Sequence, residues 1–440
     1  MAQRTTCLTA LAGATLMAAS GAACALGLVE AYEKARIHDP QYRAAFYASE
    51  AGKEYRVLGR SGLLPGVSAN YAASKNRADI TSGARTSQPV YNSHSGSVSL
   101  RQALFNLEAY ARYRQGRSQS KASAAQFDAE GQDLILRVVG AYFEAAFADD
   151  QAALALASRD MVVEQDKVNA TLFKKGEGTR TDVLETQSRL ALAEARLLEA
   201  KDSQLAARTT LGSLIGDEVD ELDALGAGFK VRPADQDGFE RWKASAMARN
   251  PELKAQLYGV EVAREEVLKA RAGHSPRLDF VATYARNDSE TINTLNQDAT
   301  VRSIGVQLNV PLYSGGSVAA TTRQAVANQL RARAEMEGRT NKVLLELRKD
   351  YDAIASSVAR IDALVKAVAA ASLLIDATTQ SIRGGVRINL DLLGAQEQLY
   401  TARRDLAQAR YAYLLATLRL RAGAGALSSD DVKEISGNFK

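Results

Sequence analysis

Two stretches of this sequence, from about residue 107 to 174 and from about residue 317 to 382, run for more than sixty residues without a proline. Apolar residues recur in them at helical spacing, as Leu134, Val138 and Tyr142 do in the first. An α-helix rises 1.5 Å per residue, so each stretch predicts a helix on the order of 100 Å long. Such a helix exceeds any globular domain, and it therefore predicts a coiled coil or a helical tube.

The two halves of the chain share their landmarks in the same order. Three pairs of landmark residues are separated by 211, 211 and 209 positions: Pro40 and Pro251, Pro65 and Pro276, and Asp182 and Asp391. A nearly constant offset over this distance predicts an ancestral duplication. Asp39 and Asn250, each followed by proline, predict the N-cap and first residue of a helix in each half.

Segments of alternating polarity follow each of these proline-marked helices. They lie near 66–74 and 97–105 in the first half, and near 278–285 and 302–312 in the second. In the last of them, Ile304, Val306 and Leu308 share one face, and Ser303, Gln307 and Asn309 share the other. This period of two predicts half-buried strands. The polar segments 75–96 and 286–302 between them predict loops.

The N-terminus has the form of a signal peptide, residues 1–25. Arg4 precedes an uncharged, alanine-rich run, and Ala23-Cys24-Ala25 has the small-x-small pattern that predicts cleavage between Ala25 and Leu26. A membrane anchor and a lipoprotein attached through Cys24 are the alternatives. Both cysteines lie in this segment, so the mature chain would fold without disulfides.

Composition excludes several classes of function. A net charge of +4 gives no nucleic-acid footprint, and three His and two Cys leave almost no material for a metal site. The sequence contains no GxSxG, HExxH, P-loop or dinucleotide-binding fingerprint. We therefore expect no enzyme, no cofactor and no nucleic-acid partner.

Four strands in an exported chain must find edge partners. They cannot close a barrel alone, because the smallest single-chain outer-membrane barrels have about eight strands. They either join strands of other protomers or belong to a soluble sheet, as in a periplasmic coiled-coil adaptor. In a shared barrel the polar faces suit a water-filled lumen and the apolar faces suit lipid. The predicted class is mainly α with a small β part.

The sequence resembles the TolC-type outer-membrane efflux proteins over about Leu26 to Val432. The resemblance rests on residues 31–35 with Asp39-Pro40, on Gly62-Leu63-Leu64-Pro65, and on residues 303–316 and 409–414. The opening helix with its Gly-Leu-Leu-Pro is most similar to the branch that serves type I secretion.

The resemblance implies a homotrimer whose four strands per protomer form a twelve-stranded outer-membrane barrel, continued by duplicated long-helix hairpins as an α-helical tunnel across the periplasm. It implies a first repeat at 26–215, an equatorial region at 216–250, a second repeat at 251–424 and a C-terminal tail at 425–440. The implied function is the exit duct of a tripartite export system in Gram-negative bacteria. Its partners would be a periplasmic adaptor, an inner-membrane ABC or proton-driven transporter and outer-membrane lipid. The cargo would be a protein or, alternatively, small molecules.

The resemblance also places an entrance at two turns between helices. Thr181, Asp182 and Arg387 match positions that hold the entrance shut, and Asp391 matches a lumen-facing aspartate that forms a ring by symmetry. Ile382 and Gly394 depart from the family pattern, which has a Tyr and a second Asp there, so the closing network and the ring should be weaker. The turns themselves, where an adaptor would dock, contain the glycines Gly176, Gly178, Gly384 and Gly385.

Simpler roles remain open for the same residues. Asp182 is also a candidate N-cap, with Glu185 at the third helical position of a capping box. Arg387 would also be explained as a solvated turn residue, and Asp391 as an exposed acid at the start of a helix. The glycines are the ordinary residues of tight turns.

Overall fold

The computed structural model describes residues 25–226, 228–229, 231, 238–289, 297–384, 386 and 389–440. Its helices are α1 (Leu28–His38), α2 (Pro40–Ser61), α3 (Leu107–Lys175), α4 (Arg180–Ile215), α5 (Gly238–Arg249), α6 (Pro251–Arg271), α7 (Ser317–Arg383), α8 (Asn389–Gly423) and α9 (Ser429–Ser436). Its strands are β1 (Gly66–Arg77), β2 (Ile80–Ser82), β3 (Arg85–Ser87), β4 (Val90–Phe105), β5 (Arg277–Ser289) and β6 (Gln297–Asn309).

The helix starts predicted from proline are present in both halves. The Asp39 carboxylate accepts hydrogen bonds from the backbone N–H groups of Gln41 (3.4 Å) and Tyr42 (3.1 Å) at the start of α2. The Asn250 side chain accepts from the N–H of Leu253 (3.0 Å) at the start of α6. Each cap satisfies N–H groups that have no partner within the helix.

The two long proline-free stretches form single helices. α3 has 69 residues and α7 has 67, so each extends about 100 Å. α3 packs along α2 and α6 in one half of its length and along α4 and α8 in the other, and α7 packs on α6 and α8. The result is a narrow layer of paired helices far longer than it is wide.

The four main strands form one antiparallel sheet in the order β1-β4-β5-β6. The register places Val67 opposite Leu100, and Leu100 opposite Ala282, so the apolar residues of different strands share one face. Within the described ranges, β1 and β6 are the outer strands of this sheet.

The prediction of loops at 75–96 and 286–302 is wrong for most of their described residues, which are strand. β1 continues to Arg77, β2 and β3 follow it, β5 continues to Ser289 and β6 begins at Gln297.

Two further strand boundaries show why the prediction differs from the structure. β4 begins at Val90 rather than near 97, because small hydroxyl side chains such as Ser74 and Ser93 (Oγ–Oγ 2.7 Å) bond across strands beyond the apolar alternation. β6 ends at Asn309 rather than near 312, just before Pro311, which lacks the N–H that a ladder requires.

The main core lies around the middle of the long helices. Tyr142 of α3 is fully buried, and its hydroxyl donates to the backbone carbonyls of Leu26 (2.9 Å) and Asp223 (3.3 Å). α1, α5 and α9 cover this region, with Trp242 packed against it. The described residues between 216 and 250 thus contribute side chains to this core.

The C-terminal segment 425–440, predicted as a tail, packs into the main core. It contains α9, and its Phe439 stacks on Phe143 with ring centroids 5.6 Å apart. Val432 and Ile435 are buried in the same core. None of the helices within the described ranges combines the length and the apolar character that crossing a bilayer requires.

Candidate functional site

The first turn, between α3 and α4, is built around two glycines. Gly176 has a left-handed backbone (φ 75°), and its N–H donates to the carbonyl of Phe173 at 3.1 Å. The N–H of Glu177 donates to the carbonyl of Leu172 at 2.9 Å, which closes the helix end. A Cβ on Gly178 would lie 3.1 Å from the amide nitrogen of Phe173. The left-handed backbone therefore favours glycine at position 176, and a side chain at position 178 would crowd the end of α3.

The start of α4 carries Thr181 and Asp182. The Thr179 hydroxyl accepts from the N–H of Asp182 at 3.1 Å, and the Asp182 carboxylate accepts from the N–H and hydroxyl of Thr179 at 3.2 and 2.6 Å. Thr179 is therefore the N-cap and Asp182 the third helical residue. The prediction that Asp182 is the N-cap and Glu185 its capping-box partner is wrong. The capping box lies three residues earlier, with the Thr179 hydroxyl as the cap and Asp182 as its partner.

The second turn, between α7 and α8, is described in part. The N–H of Gly384 donates to the carbonyl of Gln380 at 3.1 Å, and that of Val386 to the carbonyl of Ser381 at 3.0 Å. Asp391 is the third residue of α8 and is exposed, the same helical position that Asp182 has in α4. Gly385 and Arg387 lie outside the described residues.

A buried polar chain ties the first hairpin together close to its turn. The Asn169 side-chain amide of α3 donates to the hydroxyl of Thr186 of α4 at 2.6 Å, and that hydroxyl donates to the carbonyl of Asp182 at 2.7 Å. Gln165, one helical turn before Asn169, donates to its side-chain carbonyl at 3.1 Å. Asn169 and Thr186 are almost fully buried, so the bond between them has no water to compete with it.

One ion pair links the first hairpin to the second. Arg196 of α4 reaches the carboxylate of Glu397 of α8 with distances of 2.9 and 2.7 Å from one guanidinium nitrogen. The hydrogen bond that Arg196 donates to Glu397 raises the pKa of Arg196 above its usual range. Arg196 lies 14 residues beyond Asp182, about 21 Å along the helix axis from the turn.

A second link between the hairpins lies closer to the core. The Tyr411 hydroxyl of α8 donates to the Asp150 carboxylate of α3 at 3.1 Å. Burial raises the pKa of both groups, with the Asp150 charge adding to the rise at Tyr411. The two hairpins are therefore joined at two heights above the turns.

Comparison with known proteins decides the family. The outer membrane efflux protein model matches this chain twice, over residues 31–217 and 242–426. The chain is 41% identical to the alkaline protease secretion protein AprF of Pseudomonas aeruginosa, over 98% of this chain and 91% of that one. It is 35% identical to the proteases secretion protein PrtF of Dickeya chrysanthemi, over 97% and 94% respectively.

The chain belongs to the outer membrane efflux protein family. The predicted membership of the TolC-type family in its secretion branch is confirmed, as is the mainly helical class with a small four-stranded sheet. The fold matches that of the outer-membrane channel OprN with a TM-score of 0.79 at 20% identity, covering 91% of this chain and 90% of that one.

Membership places this efflux-family protein in the outer membrane of a Gram-negative cell as an export duct, as predicted from sequence. Its relatives are channel and secretion proteins rather than enzymes. Among the described residues, no group of three or more His, Cys, Asp or Glu side chains is arranged to hold a metal ion.

Sequence reasoning missed the residues that tie the hairpins together. Asn169, Thr186, Arg196 and Glu397 are in no motif, and each is an ordinary polar residue in a long helix. One signal was available for the first pair, since Asn169 and Thr186 fall on the apolar stripes by which α3 and α4 face each other. Polar residues at such positions indicate a specific partner across the interface.

Proposed function

We propose that three copies of this chain form one twelve-stranded barrel in the outer membrane, continued by an α-helical tunnel across the periplasm. The observation that carries this is the four-stranded sheet, which has an apolar face, a polar face and outer strands β1 and β6 at its edges. Unpaired edges are not tolerated in lipid, and three such sheets joined edge to edge leave none.

The organisation of the mature chain follows from the same proposal. Residues 26–215 and 251–424 are two repeats, separated by the equatorial region 216–250 and followed by the segment 425–440. The double match of the family model supports the duplication. Residues 1–25 are the signal peptide, cleaved between Ala25 and Leu26. The N–H of Leu26 donates to the Glu221 carbonyl at 2.8 Å, so an α-ammonium created there would keep an acceptor.

The tunnel entrance lies at the two turns. Thr181, Asp182 and Arg387 hold it shut between neighbouring hairpins, and three copies of Asp391 form a ring of carboxylates in the mouth. The exposed position of Asp391 in the first turn of α8 supports this role. The glycine turns at Gly176, Gly178, Gly384 and Gly385 form the surface on which a periplasmic adaptor docks.

The cargo is a protein exported by type I secretion, driven by an inner-membrane ABC transporter. The support is the identity to AprF and PrtF, both named for protease secretion and both matched over nearly their full lengths. The duct itself has no catalytic role, binds no cofactor and has no nucleic-acid partner. Its helices and strands form the wall of the passage, and the transporter supplies the energy for export.

The alternative cargo is small molecules handed over by a proton-driven pump, which the description of the family as efflux proteins favours. Complementation separates the two. In a strain that lacks its own secretion duct, this chain should restore appearance of a protease in the medium when its adaptor and ABC transporter are present. Restored resistance to toxic compounds without protein secretion would favour the alternative.

A further inference from the structure

One cluster of charges in the sheet has no role in the function described above. Arg101 of β4 donates across β5 to the side-chain carbonyl of Gln307 of β6 at 3.1 Å. Beneath it lies Asp279 of β5, with its carboxylate 3.6 Å from Nε of Arg101 and 4.0 Å from Nε of Arg277. Two guanidinium groups therefore share one carboxylate.

The register places this cluster on the polar face of the sheet. Arg101 is opposite Gly66 and Val281, and Asp279 is opposite Gln307, whereas the apolar residues Leu278 and Phe280 alternate to the other face. In the proposed barrel the apolar face meets lipid, so the cluster faces the water-filled lumen.

The cluster presents positive charge to the lumen. The Asp279 side chain is 10% exposed, whereas those of Arg101 and Arg277 are 61% and 47% exposed. The carboxylate is therefore largely shielded from solvent, whereas the two guanidinium groups are exposed. Each protomer therefore contributes one net positive charge, and three protomers form a ring.

The rest of the polar face is neutral. Among the described strand residues that the register places on this face, all other side chains are uncharged, and most of these residues are Ser, Asn, Ala, Thr or Gly. The field along the barrel wall is therefore set by one ring, at the end where the sheet joins helices α2 and α6.

We propose that Arg101 and Arg277 form an anion-binding ring at the inner end of the barrel, and that it engages acidic segments of a passing polypeptide. Rings of arginine in a pore attract anions, and a low-charge wall above leaves that attraction unopposed. This inference rests on the proposed trimeric duct, because only a closed barrel turns the polar face into a lumen. The positive charge of this ring is opposite in sign to the charge of the proposed Asp391 ring at the entrance.

The test is block of single channels in a planar bilayer by poly-L-glutamate added from the extracellular side, with poly-L-lysine as the opposite probe. Wild-type protein should be blocked by polyglutamate more strongly than by polylysine at 0.1 M KCl. The double variant Arg101→Gln with Arg277→Gln should lose at least tenfold in polyglutamate affinity. Asp279→Asn, which removes the covered carboxylate, should strengthen the block.

A matched control lies on the other face of the same sheet. Arg302→Gln removes a strand arginine on the lipid side, whose guanidinium carbon lies 5.7 Å from the centroid of the Tyr284 ring. Channels of this variant should be blocked by polyglutamate as strongly as wild-type channels. Unchanged polyglutamate block in the double variant, or equal loss in the control, would overturn the anion ring. Failure to form any channel would instead refute the proposed duct, so the two failures are distinguishable.

Discussion

The side-chain amide of Asn169 lies 2.6 Å from the hydroxyl of Thr186, and this buried bond joins α3 to α4 near the first turn. The second hairpin differs at the corresponding places. The residues 209 positions later are Thr378 and Ala395, both buried, and alanine offers no side-chain acceptor or donor. The two hairpins are therefore joined differently at these positions. The first has a side-chain hydrogen bond between Asn169 and Thr186, whereas Ala395 in the second can form none.

Asn169→Ala should loosen the first hairpin and leave the second unchanged. The substitution leaves the buried Thr186 hydroxyl without its donor, which costs about 1–3 kcal/mol. We expect faster amide hydrogen exchange on both sides of the first turn, in residues 160–195. Thr378→Ala is the matched control and should affect only the α7–α8 hairpin. Uniform exchange changes in both hairpins would contradict this assignment.

Breaking the Arg196–Glu397 pair should favour opening of the tunnel. Both side chains are about half exposed, so one pair contributes about 0.5 kcal/mol, and three pairs in a trimer contribute about 1.5 kcal/mol. Glu397→Gln should therefore raise the open probability of single channels about tenfold in bilayers. The exchanged pair Arg196→Glu with Glu397→Arg should restore closure. An exchanged pair as open as the single variant would show that the ion pair does not act as a link.

The two acids at the helix starts should behave differently in conductance. Asp391→Asn should weaken block by multivalent cations on the order of tenfold, because it removes the proposed carboxylate ring from the mouth. Asp182→Asn should change the block much less, since the proposed ring is formed by Asp391, whereas Asp182 forms a capping box with Thr179. The measurement is block by a trivalent cation added from the periplasmic side. Equal effects of both substitutions would contradict this separation of roles.

Asp350→Asn should stabilise the protein at neutral pH. Asp350 and Asp133 line a cavity of 570 Å³ between α3 and α7, and burial raises the pKa of both above the ordinary 3.8. A raised acid pKa means that the folded state binds the proton more tightly than the unfolded state. Its contribution to stability is present at low pH and is lost as the pH rises through the folded pKa.

The variant should therefore melt at a higher temperature than wild type at pH 7.5, and the difference should vanish at pH 3.5. Asp352→Asn is the control, because Asp352 is exposed and paired with Arg348 at 2.8 Å. A stabilisation of equal size at both pH values would show that the cost of ionising Asp350 is not the cause.

Sequence reasoning reached the parts of the fold that periodicity and proline determine. The long helices end within one or two residues of the predicted limits, because the glycines Gly176 and Gly384 end them locally. The first residues of β4 and β6 and the last residues of β1 and β5 were missed, since cross-strand bonds between small polar side chains, such as Ser74–Ser93, carry no hydrophobic signal. The cap at Thr179 is a local capping box with Asp182 that the sequence contains and the prediction placed three residues too late. The place of Phe439 in the core depends on tertiary contacts that one sequence does not reveal.

The trimer is the central claim, and native mass spectrometry in mild detergent tests it most directly. The sample is the mature chain extracted from outer membranes, and its mass is measured over a tenfold range of protein concentration. The shared twelve-stranded barrel predicts a mass of three chains at every concentration, because the edges of β1 and β6 are paired between protomers. A stable monomer or dimer that retains the β-sheet would contradict it.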